Sequence, residues 1–370
     1  MSSTYRIFIS GMAYDNGKSG ISLYIRKVVK YLSKDHQIEL LMLKKDAKIF
    51  PIKNKNLKII TVSNFWAKPV INMLWHLFIL PFTRNYKKYD FILLPAGNRR
   101  IFCYYPCYTI VTFHDLSQFY ITHKYDRFRM FYIKKIVPFF LKKANSVMAI
   151  SNSTKRDLQK FYKLKKVWVN YNGYEKPVVS QAQVKKVAEV EGKFLFYLAR
   201  VEHPGKNHLN LIKAYEQLPK DVKQEYELVF AGKVWEGSEP VMHYVANSAD
   251  KARIKFLGFV EEAELSWLYK NCNLYVFPSF YEGFGLPLLD AMNYGVPIIC
   301  SNTSSLPEVG GDAVLTFDPS DSKQIAERIL QVLQDKDLQN RMIKAGFERL
   351  SNFDWAKHVH KIVGDYEKNG

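Results

Sequence analysis

Residues Phe277–Met292, FPSFYEGFGLPLLDAM, read as the end of a hydrophobic strand, a glycine turn and an apolar helix. Gly283 and Gly285 free the backbone of the turn, and Pro287 suits the first helical turn, where its missing N–H does no harm. The unpaired N–H groups around Phe284, Gly285 and Leu286 make a site for sugar oxygens or phosphate. Glu282 stands at the loop entry as an acceptor for hydroxyls. Asp290, one helical turn in, is within reach of another polar ligand group; that it does no more than complement the helix dipole is the alternative.

The same rhythm runs along the chain. YRIFIS, FILLPA, YTIVTFHD and SVMAIS in the first half are short apolar or β-branched runs suited to buried parallel strands. KFLFYLA, YELVFAG, RIKFLG, NLYVFPS and VPIICS repeat the pattern in the second half. Helical stretches alternate with them: ISLYIRKVVKYLS, RFRMFYIKKIVPFFLKK, NHLNLIKAYEQL, AELSWLY and SKQIAERILQVLQD. The alternation predicts an α/β fold of doubly wound parallel sheets with helices on both faces. A chain of 370 residues is too long for one hydrophobic core, and the pattern lapses between Asn172 and Lys193. Two domains are therefore expected, 1–178 and 185–354, with ligands at the carboxyl ends of the strands.

With 48% hydrophobic and 24% charged residues, the chain is an ordinary globular protein. Cys103, Cys107, Cys272 and Cys300 form no disulfide framework, and CYYPC has the wrong spacing for a zinc knuckle. They are expected to be plain thiols in a reducing cytoplasm. MSSTYRIFIS lacks the charged and apolar regions of a signal peptide. The net charge of +19 is unevenly placed. Residues 1–180 hold 32 Lys and Arg against 9 Asp and Glu, whereas residues 181–370 hold 22 against 26. A large anionic partner for the first half follows, nucleic acid or an acidic membrane surface; a merely lysine-rich surface is the plainer alternative.

Three further groups carry candidate chemistry. SGMAYDNGKSGISLYIRKVV puts Gly11, Gly17 and Gly20 between a strand and an amphipathic helix, where backbone amides can approach an anion or sugar. The spacing is neither GxGxxG nor GxxxxGK[ST], and a purely structural loop fits equally well. His114 and Asp115 follow directly on TIVTF, at a strand's carboxyl edge. His114 can hydrogen-bond a substrate hydroxyl, with Asp115 orienting the ring or capping the next turn. Arg200 ends a strand and Lys206 precedes a helix beginning at about Asn207, a pair of cations suited to a diphosphate or simply solvated at the surface.

Taken together with SNSTKRDL, YNGYE, ARVEHPGKN, FLGFV and GVPIICSNTSSLPEVGGDAVLTFDP, in that order, these motifs resemble the retaining GT-B glycosyltransferases of family 4, the glycosyl transferases group 1. The resemblance covers essentially the whole chain, with one departure: Asp290 stands where the family most often has Glu. It implies two Rossmann-like domains facing a cleft, an acceptor-binding one first and a nucleotide-sugar-binding one second, with a last helix, about 355–370, crossing back to the first. It implies that Arg200 and Lys206 bind the donor diphosphate, that Glu282 binds the transferred sugar, and that Gly283, Phe284, Gly285 and Leu286 offer amides. Asp290 would face the ribose, Phe259 and Val260 the base, and His114 the sugar, while Gly17 and Gly20 close on phosphates or acceptor. The reaction would retain the anomeric configuration, the leaving diphosphate taking the acceptor proton.

No metal or other cofactor is expected, on the reading that the chain has no D-x-D triplet for a nucleotide-bound ion and that Arg200 and Lys206 supply the positive charge. The donor expected is GDP-mannose or a UDP-hexose. The acceptor expected is a saccharide, lipid-diphosphate-linked, in bacterial polysaccharide or lipopolysaccharide assembly. FWAKPVINMLWHLFILPFT carries Lys68, Asn72 and His76 as a narrow polar stripe and is a poor membrane span. YDRFRMFYIKKIVPFFLKK sets Arg127, Lys134 and Lys142 on about one face, with Phe128, Phe131, Tyr132, Ile136 and Phe139 largely opposite. Such a helix from Tyr125 to Lys143 can lie in an anionic bilayer interface or be a core helix with a solvated face. The expected location is cytoplasmic, peripheral on the inner face of the membrane. No helix-turn-helix, zinc finger or RNP-like motif supports a nucleic-acid partner. A catalytically inactive GT-B-like partner protein is the alternative to an enzyme.

Overall fold

The computed structural model describes residues 3–17, 19–121, 126–177 and 183–370. The boundary expected at 178 and the helix start expected at Tyr125 lie outside the described residues. Contacts divide the chain into two units, Met1–Gly173 with Phe353–Gly370, and Tyr174–Asn352.

Among the described residues the first unit holds a seven-stranded parallel sheet. Its strands are β1 (Arg6–Ser10), β2 (Gln37–Leu43), β3 (Leu57–Val62), β4 (Phe91–Leu94), β5 (Thr109–Phe113), β6 (Ser146–Ala149) and β7 (Trp168–Val169). They lie in the order β3-β2-β1-β4-β5-β6-β7. The second unit holds β8 (Lys193–Leu198), β9 (Tyr226–Ala231), β10 (Ile254–Phe256), β11 (Leu274–Phe277), β12 (Ile298–Ser301) and β13 (Val314–Phe317), ordered β10-β9-β8-β11-β12-β13. In both sheets the order reverses after the first strand, beside β1 and β4 in one and β8 and β11 in the other. That reversal opens a crevice at the carboxyl ends, where ligands bind in doubly wound folds.

Burial on both faces explains the apolar runs. All four residues of β4 are buried, with Ile92 turned to one core and Phe91 and Leu93 to the other. Each fully buried Ile, Leu or Phe contributes about 1.5–3 kcal/mol. QIELLML, LKIITV and VLTF were not among the expected strands. LKIITV became β3, a half-buried sheet edge with weak alternation, which explains why its pattern is faint.

The last helix, Trp355–Asn369, belongs to the first unit. Asp354 caps it, its side chain accepting the Lys357 N–H at 2.7 Å. Trp355 lies against Gly173, where an added Cβ would come within 2.4 Å of the indole, so only glycine fits. His358 is buried and bridges Tyr171 O at 2.8 Å and the Tyr24 hydroxyl at 3.1 Å. Asn170 Nδ2 donates to His358 O at 3.0 Å.

One helical reading changes, and a second gains an orientation. The basic run forms a continuous helix in three parts, Arg127–Phe131, a wide π turn Tyr132–Ile136, and Val137–Leu141. Pro138 accounts for the widening, because it lacks an N–H and its ring crowds the carbonyl one turn back. Tyr132 and Ile133 are buried, but Phe128, Phe131 and Phe139 are 48%, 58% and 61% exposed, on the solvent side with Arg127, Lys134 and Lys142 rather than opposite them. On the helix Pro69–Phe78 the polar stripe turns inward: Asn72 and His76 are buried, while Leu74 and Phe78, and Ile79 just beyond, are exposed. Long-range partners are the cause. His76 Nδ1 donates to Ile101 O at 3.2 Å and its Nε2 accepts from Ser10 Oγ at 2.8 Å. Asn72 Oδ1 accepts from Arg100 Nε at 2.8 Å.

Candidate functional site

The turn after β11 is held by backbone geometry and by a serine-rich neighbour. Gly285 has φ +101, in the left-handed region, and precedes the helix Leu286–Asn293 with Pro287 in its first turn. An added Cβ there would come 2.8 Å from Leu306 Cδ2, so conformation and space both demand glycine. The segment after β12 pins the turn from the side. The Glu282 N–H donates to Ser304 Oγ at 2.9 Å, and Ser305 Oγ reaches Glu282 O at 3.0 Å and Phe284 O at 2.9 Å. Thr303 Oγ1 donates to Phe280 O at 2.9 Å. These residues lay in a motif already singled out, but their role was not legible before the strands were placed side by side.

The structure brings Lys206 and Glu282 together, Nζ to Oε1 at 2.7 Å, both half-buried. The Lys206 carbonyl accepts from Tyr197 OH at 2.9 Å, which ties the loop to β8. Asn207, at φ +58, precedes the helix His208–Glu216 and donates from Nδ2 to Pro278 O at 2.9 Å and Pro319 O at 2.7 Å. It thus joins the ends of three strands. Arg200 pairs with Glu202, and its guanidinium carbon lies 5.4 Å from the Trp235 ring centroid. Neither expected cation is bare: each is held by a carboxylate, so a diphosphate there must share or displace that partner. Glu202, Trp235 and Ser304 are the local partners that the sequence alone did not single out.

Asp290 is oriented by Tyr174, whose hydroxyl donates to Oδ1 at 3.1 Å. Burial pushes the carboxyl up to about 6; the Tyr174 hydrogen bond opposes that rise and the nearby Glu262 adds to it. Tyr174 sits within YNGYE, the one sequence signal for it. Gly283 is half-buried and Phe284 buried in the turn itself. Phe259 is 70% exposed beyond β10, beside half-buried Val260 and under Lys233 Nζ at 5.5 Å. An exposed ring at a strand's carboxyl end is free to stack on a planar base.

In the first unit His114 is buried at the end of β5. Its Nε2 donates to Pro95 O at 2.7 Å, which leaves Nδ1 the acceptor of the neutral ring. Burial holds the imidazole below its ordinary range, though the Pro95 bond works the other way. The two roles weighed for Asp115 resolve to the cap: its carboxylate accepts the Ser117 N–H at 3.0 Å and Ser117 Oγ at 2.6 Å. Pro95 orients the ring instead. Gly17, at φ +77, and Gly20 flank Ser19, the N-cap of the helix Gly20–Leu32. An added Cβ would meet nothing within 4 Å at Gly20 and only Tyr14 OH, at 3.7 Å, at Gly17. Space is therefore not what selects glycine at either position. Asp15 braces the turn, accepting the Ser19 N–H at 3.1 Å and Ser22 Oγ at 2.5 Å.

The sequence does contain one D-x-D triplet, Asp335-Lys336-Asp337. It is exposed at a helix start, where Asp335 accepts the Leu338 N–H at 2.8 Å and so acts as a cap. Among the described residues no three His, Cys, Asp or Glu side chains are grouped to hold a metal ion. A cavity of about 380 Å³, lined by Arg6, Lys55, Lys58 and Lys88 among others, opens at the amino ends of β1 and β2. It lies away from every turn discussed above.

Residues 18–176 match the family described as Glycosyltransferase Family 4, and residues 179–349 match Glycosyl transferases group 1. The chain is 30% identical over 267 residues to the O-antigen chain mannosyltransferase B of Escherichia coli, covering 70% of each protein. It is 28% identical over 305 residues to the Escherichia coli serotype-specific mannosyltransferase WbdA, covering 79% of this chain and 36% of that longer protein. In fold it is similar to Anabaena HepE, solved in complex with UDP-glucose, with a TM-score of 0.70, 15% identity, and coverage of 98% of this chain and 100% of the other.

Proposed function

The chain belongs to the group 1, family 4 glycosyltransferases with the GT-B fold, and from that membership we propose that it moves a hexose, with retention of configuration, from a nucleotide-diphosphate sugar to a saccharide acceptor. The observation that carries this reading is the Lys206–Glu282 pair at the mouth of the Gly283–Leu286 turn. A diphosphate arriving at Lys206 takes over its positive charge, and Glu282, released, accepts hydrogen bonds from sugar hydroxyls. The amides of Phe284, Gly285 and Leu286 then face developing negative charge, and Arg200 adds a second cation. These groups supply the stabilisation that a divalent ion gives elsewhere, so the reaction is metal-independent. The leaving diphosphate takes the acceptor proton. His114, with Nδ1 as acceptor, holds a hydroxyl of the sugar, and Asp290 and Phe259 serve ribose and base.

GDP-mannose is the first donor candidate, in view of the mannosyltransferases above, and a UDP-hexose the second, in view of the UDP-glucose complex. The acceptor is a lipid-diphosphate-linked saccharide of bacterial polysaccharide or lipopolysaccharide assembly. A peripheral membrane site for the first unit is supported by its outward side. Phe78, Phe82, Phe131 and Phe139 are exposed, Phe78 meets Phe140 at 6.1 Å, and Lys143 Nζ lies 5.2 Å from the Phe139 ring. Exposed aromatics among lysines suit an anionic interface, and no helix among the described residues is long and apolar enough to cross a bilayer. The test is a thermal-shift series with GDP, UDP, dTDP and ADP, then transfer of labelled sugar from the matching donor with the product anomer read by NMR. A nucleotide at 100 times its dissociation constant stabilises by about 2.7 kcal/mol. Stabilisation by none of them would favour an inactive GT-B-like partner protein.

A further inference from the structure

His114, which the proposed function sets against the sugar, is held by more than its own strand. Its Nε2 donates to Pro95 O at 2.7 Å, and its carbonyl accepts from Thr154 Oγ1 at 3.3 Å. These bonds fix the backbone and one edge of the ring. A third contact comes from Tyr24 in the helix Gly20–Leu32, whose ring meets the imidazole edge to face, centroids 4.8 Å apart and planes at 82°. Tyr24 belongs to the same apolar core as Ile110 of β5 and Trp355 of the last helix.

Tyr24 is itself anchored. His358 Nδ1 lies 2.8 Å from Tyr171 O, which can only accept, so that nitrogen carries a proton. Burial pushes the His358 imidazole down to about 4; the Tyr171 bond opposes the fall and His114 adds to it. The ring is therefore neutral, its Nε2 is an acceptor, and the Tyr24 hydroxyl donates to it at 3.1 Å. Trp355 packs beside both, its ring 5.9 Å from that of Tyr24 and 5.2 Å from that of His358. Tyr24 and His358 are each only 1% exposed, so solvent cannot replace a lost bond without opening the core.

We infer that Tyr24 and His358 are positioning residues for His114: the last helix, through the His358–Tyr24 hydrogen bond, holds the Tyr24 ring against the imidazole. The inference rests on the sugar contact assigned to His114 in the preceding subsection and gives the last helix a part in that contact. Every member of the relay lies in the first unit. Directional bonds suit the task, because a side chain that must stand within a fraction of an ångström needs neighbours that are themselves locked.

The experiment is calorimetric titration of the full chain with GDP-mannose, UDP-glucose, GDP and UDP, beside NMR spectra of the imidazoles in histidine-labelled protein. His358→Leu removes both bonds of the ring, whereas His358→Gln can remake them with its amide. The nucleotide sugar should bind about fivefold more weakly in His358→Leu, the worth of one hydrogen bond, while GDP and UDP bind as before. His358→Gln should keep the wild-type affinity. Tyr24→Phe, which keeps the ring and loses the hydroxyl, should follow His358→Leu and serves in its place if that variant does not fold. In a His114→Ala background neither change should weaken binding further, since both act through the missing ring. The His114 ring resonances, assigned by their loss in His114→Ala, should move in His358→Leu and stay in place in His358→Gln. A full further loss in the His114→Ala background, or unmoved resonances, would overturn the inference and leave the donor reading intact. Wild-type affinity for the nucleotide sugar in His114→Ala would overturn the sugar contact and the inference with it. If no nucleotide sugar binds, the donor reading fails and the resonances alone decide the inference.

Discussion

Beyond the carboxyl ends of the neighbouring strands β8 and β11, three charged side chains have partners within their own unit: Lys206 with Glu282, Arg200 with Glu202, Asp290 with Tyr174. On the outward side of the first unit the arrangement is reversed. Phe78, Phe82, Phe128, Phe131 and Phe139 meet solvent near Lys134, Lys135, Lys142 and Lys143, while Asn72 and His76 are drawn inward. The first region is preorganised and complete, so a ligand exchanges with partners already in position. The second is incomplete, because apolar rings and like charges side by side gain nothing from water and repel one another. On the function proposed above, the contrast would separate a site for chemistry from a surface for an anionic membrane, and each half of that proposal can be broken separately.

The largest effect is expected from the adhesive surface. Neutralising Arg127, Lys134, Lys135 and Lys142 to glutamine removes about 1 kcal/mol of attraction per charge near an acidic bilayer, roughly 4 kcal/mol and a thousandfold in partition at low salt. Screening over about 10 Å at 0.1 M salt should weaken wild-type binding in the same direction. Co-sedimentation with neutral and anionic vesicles measures both. Equal pelleting of wild type and variant would remove this helix from the membrane surface, whereas turnover on a short soluble acceptor should be unaffected.

Next in size is the loss of a charge from the turn. Lys206→Ala should lower turnover about 10²–10³-fold, the usual consequence of deleting one preorganised contact to the transition state. It also leaves Glu282 without its partner and facing the incoming diphosphate. Lys206→Ala with Glu282→Gln should therefore recover nucleotide affinity without recovering turnover. Steady-state kinetics beside calorimetry separates the two. Wild-type turnover in Lys206→Ala would take that residue out of the site.

The two regions were not equally legible in the sequence. The turn could be read because its pieces are local: a strand, two glycines, a proline and a carboxylate within sixteen residues, Phe277–Met292. Most parallel strands were visible as apolar runs for the same reason, but β2, β3 and β13 were passed over, and of these β3 is a half-buried sheet edge. The burial of the polar stripe on the helix Pro69–Phe78 was not legible, because its polar side chains find partners far along the chain, Ser10 for His76 and Arg100 for Asn72. Periodicity reports which residues share a face, not which face turns inward. Glu202, Trp235 and Tyr174 were missed for a related reason, since an ion pair or a buried hydroxyl has no spacing to announce it.

A smaller effect tests whether Asp290 belongs to the preorganised set. Its carboxyl is raised from 3.8 to about 6, mainly by burial. Between those values the folded state holds a proton that the unfolded chain has released, so stability falls as pH rises from about 4 to about 6. The loss amounts to at most about 3 kcal/mol. Asp290→Asn keeps an acceptor for Tyr174 and carries no charge, so its stability should stay flat through that window and exceed the wild type at pH 7. Urea unfolding at four pH values between 4 and 7 is sufficient. Parallel curves for the two proteins would mean that Asp290 is solvated and ionised throughout.

The smallest effect is an expected null, and it bears on both regions at once. If Arg200 and Lys206 exchange their counter-charges for a diphosphate as proposed, a chelator should leave turnover on a soluble acceptor unchanged. Divalent ions should still matter on vesicles, for another reason: they screen acidic headgroups and weaken the attraction of the basic helix. Adding magnesium should thus slow transfer to a vesicle-borne acceptor and leave the soluble reaction alone, while EDTA should alter neither below its wild-type rate. The reaction is run on both acceptors with EDTA, then with magnesium or manganese restored. Loss of soluble-acceptor turnover on chelation, with recovery on adding the metal, would show that the paired cations of the turn are not enough and that the donor site is incomplete after all.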